Sequence, residues 1–201
     1  MKKQFMNYTV LSAVLFAMTS VPSMALSKNL LGNGSFSEKT KDGKPVAWQV
    51  RKNKQIVAID SKDAEHPNAA QALRVDIVRY GGSSYGEIVQ KVQVKPNTIY
   101  RFTGDWRSSR HKTSFFQIKR IDTKAKKELE RVSLGWSELA WQQVVRDIDS
   151  GAADELQVIC RYRQKKEYVG TVCWYANTSL VEIGPGEPRK DNVETISDPI
   201  A

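Results

Sequence analysis

Histidine and cysteine are almost missing from this chain, with two of each in 201 residues. That scarcity removes most catalytic and metal-binding sets. His66 lies in the polar stretch Glu65-His66-Pro67-Asn68 and His111 in Arg110-His111-Lys112. Both read as solvated loop residues, and neither adjoins a Ser or Cys pattern such as G-x-S-x-G. Two cysteines with no nearby histidine are too few ligands for zinc. Long apolar runs are missing as well. The stretch Val10 to Met18, broken only by Ser12, is too short to span a bilayer, and no second one follows.

Acidic residues are the minority charge, 22 against 31 Lys and Arg, for a net charge of +9. Lys2, Lys3, the short apolar run and Pro22-Ser23-Met24-Ala25 read together as a secretory signal peptide over residues 1–25, cut after Ala25. Its loss removes two lysines and lowers the net charge from +9 to +7. The expected location is secreted or periplasmic. A basic surface attracts polyanions in general, and export argues against nucleic acid as the partner. An exported chain with an even cysteine count points to a Cys160–Cys173 disulfide. The flanks Leu156–Tyr162 and Thr171–Tyr175 look like two strands of a hairpin about the polar turn Gln164–Glu167. Two free buried thiols are the alternative.

Sustained helical periodicity is also absent. Period-two runs between turn residues take its place. Leu73, Val75 and Ile77 alternate with Arg74, Asp76 and Val78; Ile88, Gln90, Val92 and Val94 alternate with Val89, Lys91 and Gln93. After the turn Lys95-Pro96-Asn97-Thr98, Tyr100, Phe102, Gly104 and Trp106 alternate with Arg101, Thr103, Asp105 and Arg107. Further strands are expected at 56–60, 114–122, 128–134, 141–149, 155–163 and 171–183. Spaced this way, they describe an all-β antiparallel β-sandwich over residues 26–183, with 184–201 as a C-terminal tail. Thr123-Lys124-Ala125-Lys126-Lys127 reads as a solvated hairpin tip.

Four stretches in order resemble carbohydrate-binding modules of the family 4 and 9 type. Asn29-Leu30-Leu31-Gly32-Asn33-Gly34-Ser35-Phe36 with Gly43-Lys44-Pro45-Val46-Ala47-Trp48 is similar to the family opening. Tyr85 to Val94, leading through Pro96-Asn97-Thr98 into Tyr100-Arg101-Phe102, is similar to its strand-turn-strand. Trp141-Gln142-Gln143-Val144 and Val172 to Leu180 match two later strands. The resemblance implies a galactose-binding-like jelly roll, with no catalytic residues, that holds a polysaccharide or oligosaccharide. Asn33-Gly34 is expected to be a turn before a strand, and Trp48 and Trp141 are expected to fill the core. The family often holds a structural calcium ion; here Ser37 replaces one carboxylate and Ala176-Asn177 the paired acids, leaving Asn177 as the candidate ligand.

Strand parity nominates the binding residues. If Tyr100 and Phe102 face inward, Arg101, Asp105 and Arg107 face out, and the same argument exposes Arg161, Arg163 and, on 114–122, Gln117 with Lys119. So many arginines favour carboxylate or sulfate groups on an acidic glycan. Tyr80 and Tyr85, beside the Gly81–Ser84 loop, and Trp136, in the loop 135–140, are candidate ring platforms; Trp106 has core parity. Two other readings stand beside this one: a cell-envelope module binding a protein partner, and a small polysaccharide-active enzyme.

Overall fold

The computed structural model describes residues 28–51, 54–60 and 66–186. The expected signal peptide and all of the tail beyond Gly186 lie outside them. Ten strands form two five-stranded antiparallel sheets. The first sheet has the order β1 (Gln49–Arg51), β4 (Tyr85–Gln93), β9 (Glu155–Arg163), β6 (Ser114–Asp122), β7 (Lys127–Leu134). The second runs β2 (Ile56–Asp60), β3 (Ala72–Asp76), β10 (Val172–Pro185), β5 (Thr98–Ser108), β8 (Gln142–Asp149). One short 3-10 turn, Lys166–Tyr168, is the only helical element among the described residues. No described helix is long and apolar enough to cross a membrane.

Alternation along each strand builds the core. Leu73, Val75, Phe102, Trp106, Tyr175 and Leu180 from the second sheet meet Ile88, Phe116, Ile118, Leu156, Val158 and Tyr162 from the first. Tyr100 is buried with its hydroxyl accepting from the Lys95 N–H at 2.8 Å, which ties the Pro96-Asn97 turn to the strand that follows. Phe36 and Trp48 close one side of this core, ring centroids 5.2 Å apart.

Three expectations are corrected here. No strand follows Asn33-Gly34; instead the Asn33 side chain bonds Glu38 and Val46, folding the segment into a non-regular cap. Trp141 lies outside the core, half-buried on the outer surface of the second sheet. The Cys160–Cys173 hairpin does not form. β9 and β10 sit in different sheets, because the chain crosses the sandwich between Gln164 and Val172, and both cysteines are buried free thiols inside the core. The supposed polar turn also has an inward anchor, since Gln164 is fully buried and bonds Gln55, Ser83 and the Tyr85 carbonyl.

Gly86 shows how tightly the sheets pack. A Cβ there would lie 2.3 Å from the Tyr162 ring. Gly86→Ala is therefore expected to cost about 2–3 kcal/mol as an overpacking change, read as a lower denaturation midpoint; an unchanged midpoint would contradict the packing.

Candidate functional site

Of the nominated residues, Lys119 is paired with Glu128 and Tyr80 stands exposed on its loop; the other eight divide between the two outer surfaces. Tyr85, Gln117, Arg161, Arg163 and Trp136 come together on the first sheet, whereas Arg101, Asp105 and Arg107 lie on the second. Parity was right for each strand, but the two groups face opposite directions.

On the first sheet the register sets Arg51, Glu87, Arg161 and Phe115 in one row, with Tyr85 opposite Arg163 beside it. The Arg161 guanidinium lies 4.6 Å from the centre of the Tyr85 ring and donates to the Gln117 side-chain carbonyl. Gln117 is held for this task by its own amide, which donates to Ser133 at 3.1 Å. Arg163 lies 4.3 Å from the Trp136 ring centre and donates to the Tyr168 hydroxyl. Phe115 links the platforms, 4.5 Å from Trp136 and 5.9 Å from Tyr85 between ring centroids. Arg110 approaches the Tyr168 ring at 5.0 Å. The result is an arc of rings interleaved with guanidinium groups at one end of the sheet.

Buried polar residues in the loops hold this arc. Ser137, fully buried, accepts from the Thr113 and Ser114 N–H groups at 3.1 and 2.9 Å, which sets Trp136 beside Phe115. Gln164 fixes Ser83 and the start of β4, and with them Tyr85. Sequence reasoning missed Phe115, Glu87, Arg110, Ser137 and Tyr168. The pair Phe115-Phe116 carried a readable signal: neighbours on a strand face opposite ways, so one of the two rings had to face outward.

The other surface is built differently. Arg101 makes a two-pronged bond to Asp147 at 2.7 and 2.9 Å, and that hydrogen bond holds the Asp147 carboxyl below its ordinary range. Exposed pairs of this kind contribute little. Arg107 stacks 4.5 Å from Trp174 and 5.6 Å from Trp141. Asp105 is buried beneath the loop that carries His66, which corrects the expectation that it is free to meet a ligand. Its carboxylate accepts from Gln143 and Asn177 and contacts His66 Nε2 at 3.0 Å. His66 Nδ1 accepts the Asn68 N–H at 2.9 Å, so both ring nitrogens are engaged within the cluster. A pocket of about 220 Å³ adjoins this cluster, lined also by Gln142, whose side-chain oxygen is buried with no hydrogen-bond partner. His66 is thus a structural residue, not the solvated one expected.

Two other chemical motifs dissolve in the same way. Gly82-Ser83-Ser84-Tyr85-Gly86 spells G-x-S-x-G, yet it runs from a loop into strand β4 and not into the helix a nucleophile elbow needs. The calcium position of the resembled family falls where the opening segment meets β10. There Asn29 bonds the Thr178 carbonyl and the Leu180 N–H, Thr178 bonds the Gly34 carbonyl, and Asn177 donates to Asp105. Direct hydrogen bonds replace carboxylate ligands, and no group of three or more His, Cys, Asp or Glu gathers among the described residues. These residues do not fit a calcium ion.

No protein-family model and no curated protein matches the sequence. Solved structures do match. A family 61 carbohydrate-binding module in complex with β-1,4-galactotriose has a TM-score of 0.54 at 16% identity, covering 78% of this chain and 100% of that one. The xylan-binding CBM22-1 domain of a Paenibacillus barcinonensis protein has a TM-score of 0.56 at 14% identity, over 80% of this chain and 97% of that one. An arabinose-bound α-L-arabinofuranosidase has a TM-score of 0.56 at 16% identity, over 77% of this chain. This chain spans only 26% of that enzyme. The fold is therefore a β-sandwich that carbohydrate-binding modules share, and families 4 and 9 are not singled out among them.

Proposed function

We propose that this protein is an exported, non-catalytic module that binds a glycan on the outer surface of the β1-β4-β9-β6-β7 sheet. The observation that carries the reading is the pair of half-buried rings Tyr85 and Trp136, joined by the buried rings Phe115 and Tyr168 and interleaved with Arg161 and Arg163. Sugar rings present a flat apolar face edged by hydroxyls. Aromatic rings match the face, and fixed planar polar groups match the edge. Half-buried Tyr85, Trp136 and Arg163 present such groups, backed by Gln117, Glu87 and Arg161, which are buried and held on rigid strands, so that little ordering is left to do on binding. The carbohydrate-binding modules of the same fold support this reading.

Retention on an immobilised panel of neutral and acidic polysaccharides tests the assignment. Wild-type protein is expected to be retained on at least one, Trp136→Ala to lose tenfold or more, and Arg101→Ala to behave as wild type. Undiminished retention of Trp136→Ala, with loss in Arg101→Ala, would move the site to the opposite surface.

A further inference from the structure

Several strand cations outside the ring arc pair with carboxylates among the described residues. On the second sheet, Arg74 pairs with Asp60 and Asp76, and Arg101 with Asp147. On the far half of the first sheet, Lys91 meets Glu155 at 3.4 Å, while Lys119 and Arg131 share Glu128 at 2.9 and 2.7 Å. The arc breaks this pattern. Arg161 is only 9% exposed, yet its one carboxylate contact among the described residues is Glu87 at 3.9 Å, and its Nε has no hydrogen-bond partner. Arg163 and Arg110 bond a hydroxyl and a backbone carbonyl, with aromatic rings alongside, and no described carboxylate lies within ion-pair reach of either.

Arg161 is withdrawn from water with only a distant carboxylate, and half-buried Arg163 has none among the described residues; burying a guanidinium with so little counter-charge is costly, and aromatic faces offset only part of that cost. Such a site is completed by an anion. Arg161 and Arg163 are two residues apart on β9, so they project from the same surface about 6–7 Å apart, close enough for one carboxylate to meet both. Planar carboxylates match guanidinium forks in two-pronged bonds, and rings at Tyr85 and Trp136 flank the pair. We infer that the bound glycan is a polyuronate whose carboxylate sits between Arg161 and Arg163. This inference rests on the glycan-binding reading above and adds the chemical class.

The test edits the ligand before it edits the protein. Alginate, polygalacturonate and a glucuronate-containing chain are each compared with their carboxyl-reduced forms, and with a sulfated neutral chain, by affinity electrophoresis at two salt concentrations. Retention on at least one uronate chain is expected, falling tenfold or more on carboxyl reduction, at higher salt, and in Arg163→Gln. Arg163 is the residue to change because it is only half-buried, and an unchanged melting curve checks the variant's fold. Equal retention of a carboxyl-reduced chain, or preference for the sulfated chain, overturns the carboxylate inference and leaves the glycan-binding reading standing. No retention of any neutral or acidic chain overturns both.

Discussion

Phe116→Ala is expected to lower the unfolding free energy by about 3–5 kcal/mol, among the largest losses a single truncation here can produce. The ring is fully buried where the sheets meet and makes edge contacts with Phe102, Trp106 and Tyr175 at 5.0, 5.6 and 5.3 Å between centroids. Gly104 leaves room for it, since a Cβ there would come within 2.8 Å of the Phe116 ring. Removing the ring forfeits its burial, three aromatic pairs and the filling of a space the sheets cannot collapse into. For a domain of this size the loss corresponds to a drop in melting temperature of about 10 °C or more. A drop of under about 3 °C would mean that the sheets do not meet at this ring.

Alkaline pH is expected to unfold the protein steeply, through groups that lie in the same core. Burial raises the Cys173 thiol to about 12 and pushes Cys160, Tyr162 and Tyr175 well up. Tyr175 also needs its proton, because its hydroxyl donates to the Arg161 carbonyl at 2.6 Å. In the unfolded chain the thiols ionise near pH 9 and the phenols near pH 10, at their ordinary values. The folded state keeps all four neutral. Its stability is therefore complete below about pH 9 and falls as pH climbs towards the folded-state values. Each group costs about 1.4 kcal/mol per pH unit once its unfolded form ionises. By pH 11 the four together reach about 8 kcal/mol, comparable to the whole stability of an ordinary domain. The Cys160→Val, Cys173→Val double variant removes the two earliest contributors and is expected to move the alkaline midpoint upward. A midpoint that stays in place would show that the thiols are not what ionises. Thiol titration of the native protein at neutral pH is expected to find neither cysteine reactive, and titration after unfolding to find both.

How much of this was legible in the sequence depends on the range of the interaction. Strands at 114–122 and 155–163 were readable to the residue, because alternation is a local property. Which strands pair is not local. The flanks of Cys160 and Cys173 look like a hairpin, and only the burial of Gln164 and its bonds to Gln55 and Ser83 show the chain crossing to the other sheet. The same limit split the nominated site. Parity turned Arg101, Asp105 and Arg107 outward, and they are on an outer surface, but pairing of β5 with β8 and β10 puts that surface opposite β9. Asp105 is then covered by His66 from 39 positions earlier in the chain. Trp141 was placed in the core for its size, whereas its contacts to Arg107 and His66 hold it outside. The arc itself was half visible: Tyr85, Trp136, Arg161 and Arg163 were nominated separately, and nothing in the sequence joined them to Phe115 or Tyr168.

The proposed ligand surface is the outer side of the β1-β4-β9-β6-β7 sheet. Oxidative footprinting of wild-type protein, with and without saturating amounts of a retained polysaccharide, reads that directly, because the two surfaces carry different aromatic residues. Protection of Tyr85 and Trp136 is expected, with Trp141 unchanged. Protection of Trp141 with Tyr85 and Trp136 unaffected would contradict it.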